Sequence, residues 1–445
     1  MSFYKKIRFS LRFISAIFKK QLKNIIIGLF IGVFFYFLFP YLFKLIPKQR
    51  QQIKIGKVGQ YTVNEIPPEV LENLSFGLTQ ISEKGEILPL LSESWQIEEE
   101  GKIYKFKLRE QDIFWHDGYK LVPSDINYNF NDVVFSLEGN ELIFKLKEPF
   151  SPFLSVVSKP VFKKGLIGLG KYKVRKITKK GNYIKSISLV PSDETDKTLP
   201  NKTYKFYNSE NDLKTAFNLG EINRIENLFD LDGLFLGKNT KHDQELKKDI
   251  YLALFLNNSK PFLEVKSFRQ ALAYAIPKEK GETRAIGSIN PLSWAYNPDI
   301  KPYEQDLARA AGLLEKDKET LSSFKITLTT FPQYEKTAQL IKQSWKKLGI
   351  GSEIKITTYL PTDFEALLIA REVPLEPDQY YFWHTTQAGN ITNLKNPRID
   401  KLLEDGRKTM DIQARKDIYY DFQRFLAEES PAIFLTHPVV YNVYR

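Results

Sequence analysis

The chain has 445 residues, more than one compact core usually holds, and 42% of them are hydrophobic, enough for globular folding. It contains no cysteine, which excludes a disulfide framework, a thiolate metal site and a lipid-bearing cysteine. The formal net charge is +12, but residues 1–60 carry twelve Lys and Arg and no acid, leaving 53 bases against 53 acids in the remainder. A domain that binds phosphate backbones carries its excess in the folded part, so no nucleic-acid partner is expected.

The basic excess flanks an uncharged run from Ile25 to Phe43, IIIGLFIGVFFYFLFPYLF. At about 1.5 Å per residue this run nearly crosses a hydrocarbon core of roughly 30 Å, and Lys44, Leu45 and Ile46 extend it. The pattern predicts a transmembrane helix over 25–46 behind a basic cytoplasmic tail, 1–24. Seven bases precede the run and five follow it. That bias places the N-terminus in the cytoplasm and the large domain on the outer side of the cell membrane. Pro47-Lys48-Gln49-Arg50 follows where a secretory leader would carry small residues for cleavage, so the anchor is expected to stay attached.

Beyond a polar linker, Ile53 to Gly56 reads as a strand and Val70 to Leu78 as a helix. Leu88 to Leu91 leads to Ser94-Trp95. Tyr104, Phe106 and Leu108 then alternate with Lys105, Lys107 and Arg109, the period of a strand with one buried face. Trp95, between these two apolar stretches, is expected to be buried. Phe114-Trp115-His116-Asp117-Gly118 turns the chain, and Asp125 starts a short helix. Val133 to Ser136 and Leu142 to Leu146 form a strand pair around Gly139. Gly168-Leu169-Gly170 lacks the continuation of a phosphate loop and reads as a turn into a strand.

The order and spacing of Pro89, Leu91, Ser94, Trp95, Phe106, Leu108, Arg109, Asp117, Gly118 and Asp125 resemble the family 5 extracellular solute-binding proteins, the peptide-binding receptors of ABC importers. Later segments are similar to that family too: Gly168 to Val174, Phe268 to Ile276, Leu307 to Leu314, and Pro431 to Leu435. The resemblance implies a two-lobed α/β fold of the periplasmic-binding-protein type II class with a hinged cleft. It implies lobe one over 53–257 with a pared-down small subdomain, lobe two over 258–432, and a return strand to lobe one over 433–445. Within lobe two, Phe324 to Leu328, the helix face Tyr334, Ala338, Ile341 and Trp345, and Ile350 to Ile356 predict a parallel β-α-β unit. Gly349 is its helix stop.

Nothing in the chain points to catalysis. The histidines His116, His242, His384 and His437 lack the spacing of a zinc hydrolase, no G-x-S-x-G is present, and Asp230 to Gly233 lacks the later ligands of a calcium loop. No metal or cofactor is implied. The densest polar-aromatic cluster is Glu376 to Gln387, which the resemblance places by the cleft. Asp378, Tyr380, Trp383 and His384 are the expected ligand contacts. Where such receptors carry an aspartate for the ligand's α-amine, this chain has Val373, with Glu372 beside it as a fifth candidate. Asn396 and Asp400 read as caps of the helix that follows. The resemblance implies an anchored receptor that captures a peptide or similar small solute and hands it to an ABC permease. A tethered sensory or scaffolding protein that kept the fold without transport is the alternative.

Overall fold

The computed structural model describes residues 20–21, 23–24, 26–38, 50–315 and 325–445. The chain divides into two units, Met1–Gln51 and Gln52–Arg445. In the first, residues 26–38 are helical. Their apolar side chains are open all round, Phe30 by 70% and Tyr36 by 76%. Among the described residues no helix is long and apolar enough to cross a membrane. Positions 25 and 39–46 of the expected span lie outside the described residues.

The second unit is organised on a seven-stranded sheet, a five-stranded sheet and a four-stranded sheet. In the first, Gln52–Val58 lies at the centre, parallel to Asn201–Tyr207 on one side and to Arg224–Leu228 on the other. Tyr183–Pro191 and Tyr172–Lys180 complete one wing, and Val439–Tyr444 and Lys241–Leu246 the other. Ile55, Ile187, Leu189 and Tyr204 pack against Val70 and Leu74 of the helix Pro68–Leu74. The G-x-G turn into this sheet needs its glycines for space. A Cβ on Gly168 or Gly170 would strike the Leu74 carbonyl, and Gly170 N donates to that same oxygen at 2.8 Å.

The five-stranded sheet runs Gly351–Ile356, Lys325–Thr330, Ala366–Glu372, Ile250–Leu256, Ala432–Thr436. Lys325–Thr330 and Gly351–Ile356 are parallel, joined through the helix Glu335–Lys346, as the β-α-β pattern predicts. Tyr334, Ala338, Ile341 and Trp345 are all buried, and Gly349 sits at φ +78°. Ile250–Leu256, at the end of the stretch 53–257 that the resemblance implies for lobe one, is paired on both sides inside this second sheet. The cause is burial on both faces, which suits an uninterrupted apolar run. Leu252, Leu254 and Leu256 enter a core with the helices Lys266–Ala275 and Glu335–Lys346. Tyr251, Ala253 and Phe255 enter a second core with the helices Pro397–Lys408 and Ile412–Glu429. The chain therefore leaves the first sheet at Asp249, before this strand. The return strand splits likewise: Ala432–Thr436 belongs to the second sheet and only Val439–Tyr444 to the first.

The four-stranded sheet, Ser92–Glu98, Ile103–Leu108, Glu141–Leu146, Val133–Glu138, is wholly antiparallel and forms the small subdomain. Tyr104, Phe106, Leu142, Phe144 and Phe153 make its core. Its deeply buried tryptophan is Trp115, 2% exposed, whose Nε1 donates to Asp125 at 2.9 Å; Trp95 is only half-buried at the core's margin. Trp95 lies on the edge strand Ser92–Glu98, which has a strand neighbour on one side only.

Candidate ligand-binding cleft

The segment 372–387 leaves the end of Ala366–Glu372, where Glu372 pairs with Ile250 and Val373 N donates to the Asp249 carbonyl at 2.7 Å. Asp378 then turns the chain, its Oδ1 accepting from Tyr380 N at 3.1 Å, and starts the one-turn helix Tyr380–Trp383. The same carboxylate takes a forked pair from Arg407, with Nε at 3.0 Å from both oxygens and Nη2 at 2.8 Å from Oδ2. Fork-to-fork geometry of this kind is the strong form of a charged hydrogen bond. The Arg407 guanidinium lies 3.9 Å over the Tyr380 ring. His384 stacks against Tyr380, with ring centroids 4.1 Å apart.

His384 is buried and engaged at both nitrogens, Nδ1 with Thr386 Oγ1 at 2.9 Å and Nε2 with Glu404 Oε1 at 3.3 Å. Trp383 is 1% exposed, between Phe255 and Phe434, and its Nε1 donates to Gln379 at 3.3 Å. Asp378, Trp383 and His384 are therefore each partnered within the protein, while Gln379 Nε2 and Thr385 Oγ1 are left buried without a partner. Trp383, expected at the ligand, is a core side chain with almost no surface to offer, and Asp378 is already neutralised by Arg407. Sequence could not foresee this, because the arginine stands on a different helix, twenty-nine residues along. Asn396 caps that helix by accepting from Arg398 N and Ile399 N, as expected. Asp400 instead accepts from Thr385 N at 2.8 Å and holds the segment's far end.

Glu376 is also spoken for. Its carboxylate pairs with Arg415 and accepts from Ser155 Oγ at 3.2 Å. Burial pushes the Glu376 carboxyl above its ordinary range, and Arg415 opposes that shift. Ser155 belongs to the small subdomain, so this bond spans from subdomain to lobe two. Further contacts follow the same seam. Ser151 N donates to the Arg407 carbonyl at 2.7 Å, and Tyr104 Oη meets Met410 Sδ at 3.8 Å. Gly101 is at φ +95°, and a side chain there would run into the Met410 sulfur.

Glu372 is placed differently. Its side chain is exposed, and among the described residues neither it nor Asp249 has a cation within 4.0 Å. Partial loss of hydration, then Asp249, then Glu69 push its carboxyl up, and Lys247 and Lys57 oppose them from beyond ion-pair distance. Tyr61 shows the reciprocal effect: burial, then Glu69 and Glu372, raise its hydroxyl. Tyr61 and Glu69 belong to lobe one, beside the central strand and in the first turn of Pro68–Leu74. Glu69 is partnered by Lys57, which also approaches Glu226 at 3.7 Å. The junction of the lobes thus carries two carboxylates without an ion-pair partner among the described residues, a phenol, and a neutralised acid. Tyr61, Asp249 and Arg407 had no motif in the sequence. Asp249 sits where an apolar strand begins after Lys247-Lys248, and that change of composition is the only signal that marks it.

Two mixed sheets in separate lobes, joined by paired strands with polar groups converging at the junction, define a two-lobed binding protein. The model of the bacterial extracellular solute-binding proteins, family 5, matches residues 133–392, more than half of the chain, and the chain belongs to that family. The oligopeptide-binding protein AppA of Bacillus subtilis is 24% identical, over 88% of this chain and 87% of its own length. The dipeptide-binding protein of Escherichia coli is also 24% identical, over 81% of this chain and 82% of its own. Among solved structures, NikZ from Campylobacter jejuni in complex with Ni(L-His) superposes with a TM-score of 0.74 at 24% identity, covering 90% of this chain and 94% of that one. AppA from Bacillus subtilis in complex with a nonapeptide gives 0.70 at 22%, covering 89% and 95%.

Proposed function

We propose that the chain is a membrane-tethered receptor that captures peptides, or a small solute with a similar cationic group, outside the cell and delivers them to the permease of an ABC importer. The observation that carries this reading is the unpartnered pair Glu372 and Asp249 on lobe two, facing Tyr61 and Glu69 on lobe one. Carboxylates brought together without a cation favour a ligand that brings one. A ligand ammonium at Glu372 replaces the role that Val373, buried in the core, has no group to fill. In this reading Asp378, Tyr380 and His384 form the stiff wall behind the site, with Trp383 as its core support. Relatives named for oligopeptide and dipeptide binding support the ligand class. The tether rests on residues 25–46, on the basic flank before them, and on the all-round apolar surface of the helical stretch 26–38.

Calorimetry on the full chain extracted in detergent, with matched peptides bearing free and acetylated N-termini, tests the site. The free amine is expected to bind more tightly by about 1.5–3 kcal/mol, the worth of a charged hydrogen bond. Equal affinities would remove the amine from the reading. N-terminal sequencing of membrane-extracted protein tests the tether, and a mature start near residue 50 would overturn it.

A further inference from the structure

On lobe two, away from the cleft, two half-buried cations, Lys278 and Arg284, line one chamber, and among the described residues neither has an acid in ion-pair contact. The helix Lys266–Ala275 ends at Pro277, and Lys278 turns back beneath it. Its Nζ donates to the carbonyls of Ala273 and Ile276, the latter at 2.8 Å. Arg284 crosses the same space. Its Nη1 donates to Phe434 O at 2.8 Å and Leu435 O at 3.2 Å, and Nη2 to Pro302 O. Among the described residues neither side chain forms an ion pair within 4.0 Å. Burial, then Arg284, pulls the Lys278 ammonium down to about 7, and Glu304 opposes this only from a distance.

Two donors here have no acceptor. Arg284 Nε and Tyr303 Oη are both buried and unpartnered. Tyr303 is 7% exposed, and its backbone is held at φ +50°, a conformation that costs a tyrosine free energy. Lys278, Arg284, Lys301 and Tyr303 line one small chamber, walled on its other side by Ile286 and Phe434. Its volume is about 20 Å³. That is room for one water or one monatomic ion.

We propose that this chamber is a site for a small monovalent anion of chloride size, held by Lys278, Arg284 and Tyr303. Positive charges half-buried in one chamber repel one another and lose part of their hydration, and carbonyl dipoles offset only part of that cost. An anion between them supplies the missing charge and accepts from the two orphan donors. A water also fits, but it brings no charge. Because Arg284 clasps Ala432–Thr436, the strand beside Ile250–Leu256, the ion braces the base of the lobe-two sheet.

Melting of the full chain in potassium chloride and in potassium gluconate, at equal ionic strength, tests the proposal. Chloride is expected to raise the midpoint saturably, by about 2 °C or more, as for a ligand bound only by the folded state. Tyr303→Phe removes only the hydroxyl and is expected to weaken the chloride response severalfold; Lys278→Met is expected to abolish it. Should Lys278→Met fail to fold, Tyr303→Phe and a bromide-soaked crystal still decide the matter. A bromide anomalous peak within hydrogen-bond reach of Tyr303 Oη and Arg284 Nε is the expected result. A water there without a peak at high bromide, or melting that ignores the choice of anion, overturns the site.

Discussion

Glu372 and Asp378 stand six residues apart in one segment, and the chain treats them in opposite ways. Asp378 is locked to Arg407 by a fork, caps a helical turn, and lies under a stack of Tyr380 and His384. Glu372 ends a strand with no ion-pair partner among the described residues, and lost hydration, then Asp249 and Glu69, raise its carboxyl against the pull of Lys247 and Lys57. One acid is part of the scaffold and the other waits at a lobe junction. Charge and aromatic density in a sequence do not separate the two cases. The partner does, and the partner comes from elsewhere in the chain.

The strongest way to break the contrast is to attack the scaffold side. Trp383→Ala is expected to cost about 3–5 kcal/mol of stability, because the indole fills a core between Phe255 and Phe434. Urea melts measure this, and a variant as stable as the parent that binds ligand poorly would return Trp383 to the ligand. Arg415→Met leaves the buried Glu376 carboxylate without its cation and is expected to cost about 3–4 kcal/mol. The loss is expected to shrink in acid, where Glu376 takes up a proton, so melts at two pH values check it.

Asp378→Asn removes the fork to Arg407 but keeps the shape, for a smaller expected loss of about 1.5–3 kcal/mol. Ligand affinity at a temperature well below melting is expected to stay near that of the parent; a large drop there would move the ligand onto Asp378. Glu372→Gln sharpens the contrast from the other side. Its folded-state carboxyl lies above the ordinary glutamate range, so the folded protein holds that proton more tightly than the unfolded chain. That contribution is present below the unfolded value and lost as pH rises through the folded one. Glutamine escapes the loss. At neutral pH the variant is therefore expected to melt no lower than the parent, with the two curves converging in acid, while affinity for a free-amine ligand falls. A destabilised Glu372→Gln protein would place Glu372 among the scaffold acids.

Much of the fold was legible because it rests on local pattern. Alternation in Tyr104, Phe106 and Leu108, the 3.6-residue face of Tyr334, Ala338, Ile341 and Trp345, and the stop at Gly349 each encode their element within a few residues. Burial on two faces leaves no such local pattern. Ile250–Leu256 is an uninterrupted apolar run, and only its strand neighbours on both sides place it inside the second sheet. The tryptophans show the same limit. Trp95 and Trp115 both lie in the small subdomain, but an edge strand leaves Trp95 half-covered while Asp125 and the core enclose Trp115. The site was legible only as a region. Segment 372–384 stood out by composition, but Arg407, Arg415, Asp249 and Tyr61 set the surroundings of its side chains, and they join it only through tertiary contact.

The seam along Ser151, Ser155, Arg407 and Met410 has a kinetic consequence. Any opening that parts lobe two from the small subdomain must break the Ser151–Arg407, Ser155–Glu376 and Tyr104–Met410 contacts. None of these contacts needs a ligand. Each therefore favours the shut form of the empty molecule and lowers the fraction of time that the entrance stands ajar. Apparent affinity scales with the fraction of molecules able to accept a ligand, so a stronger seam means slower capture, longer retention, and a weaker response at low supply. A seam of this kind would act as a latch on any such opening, with a stiffness set by these three contacts.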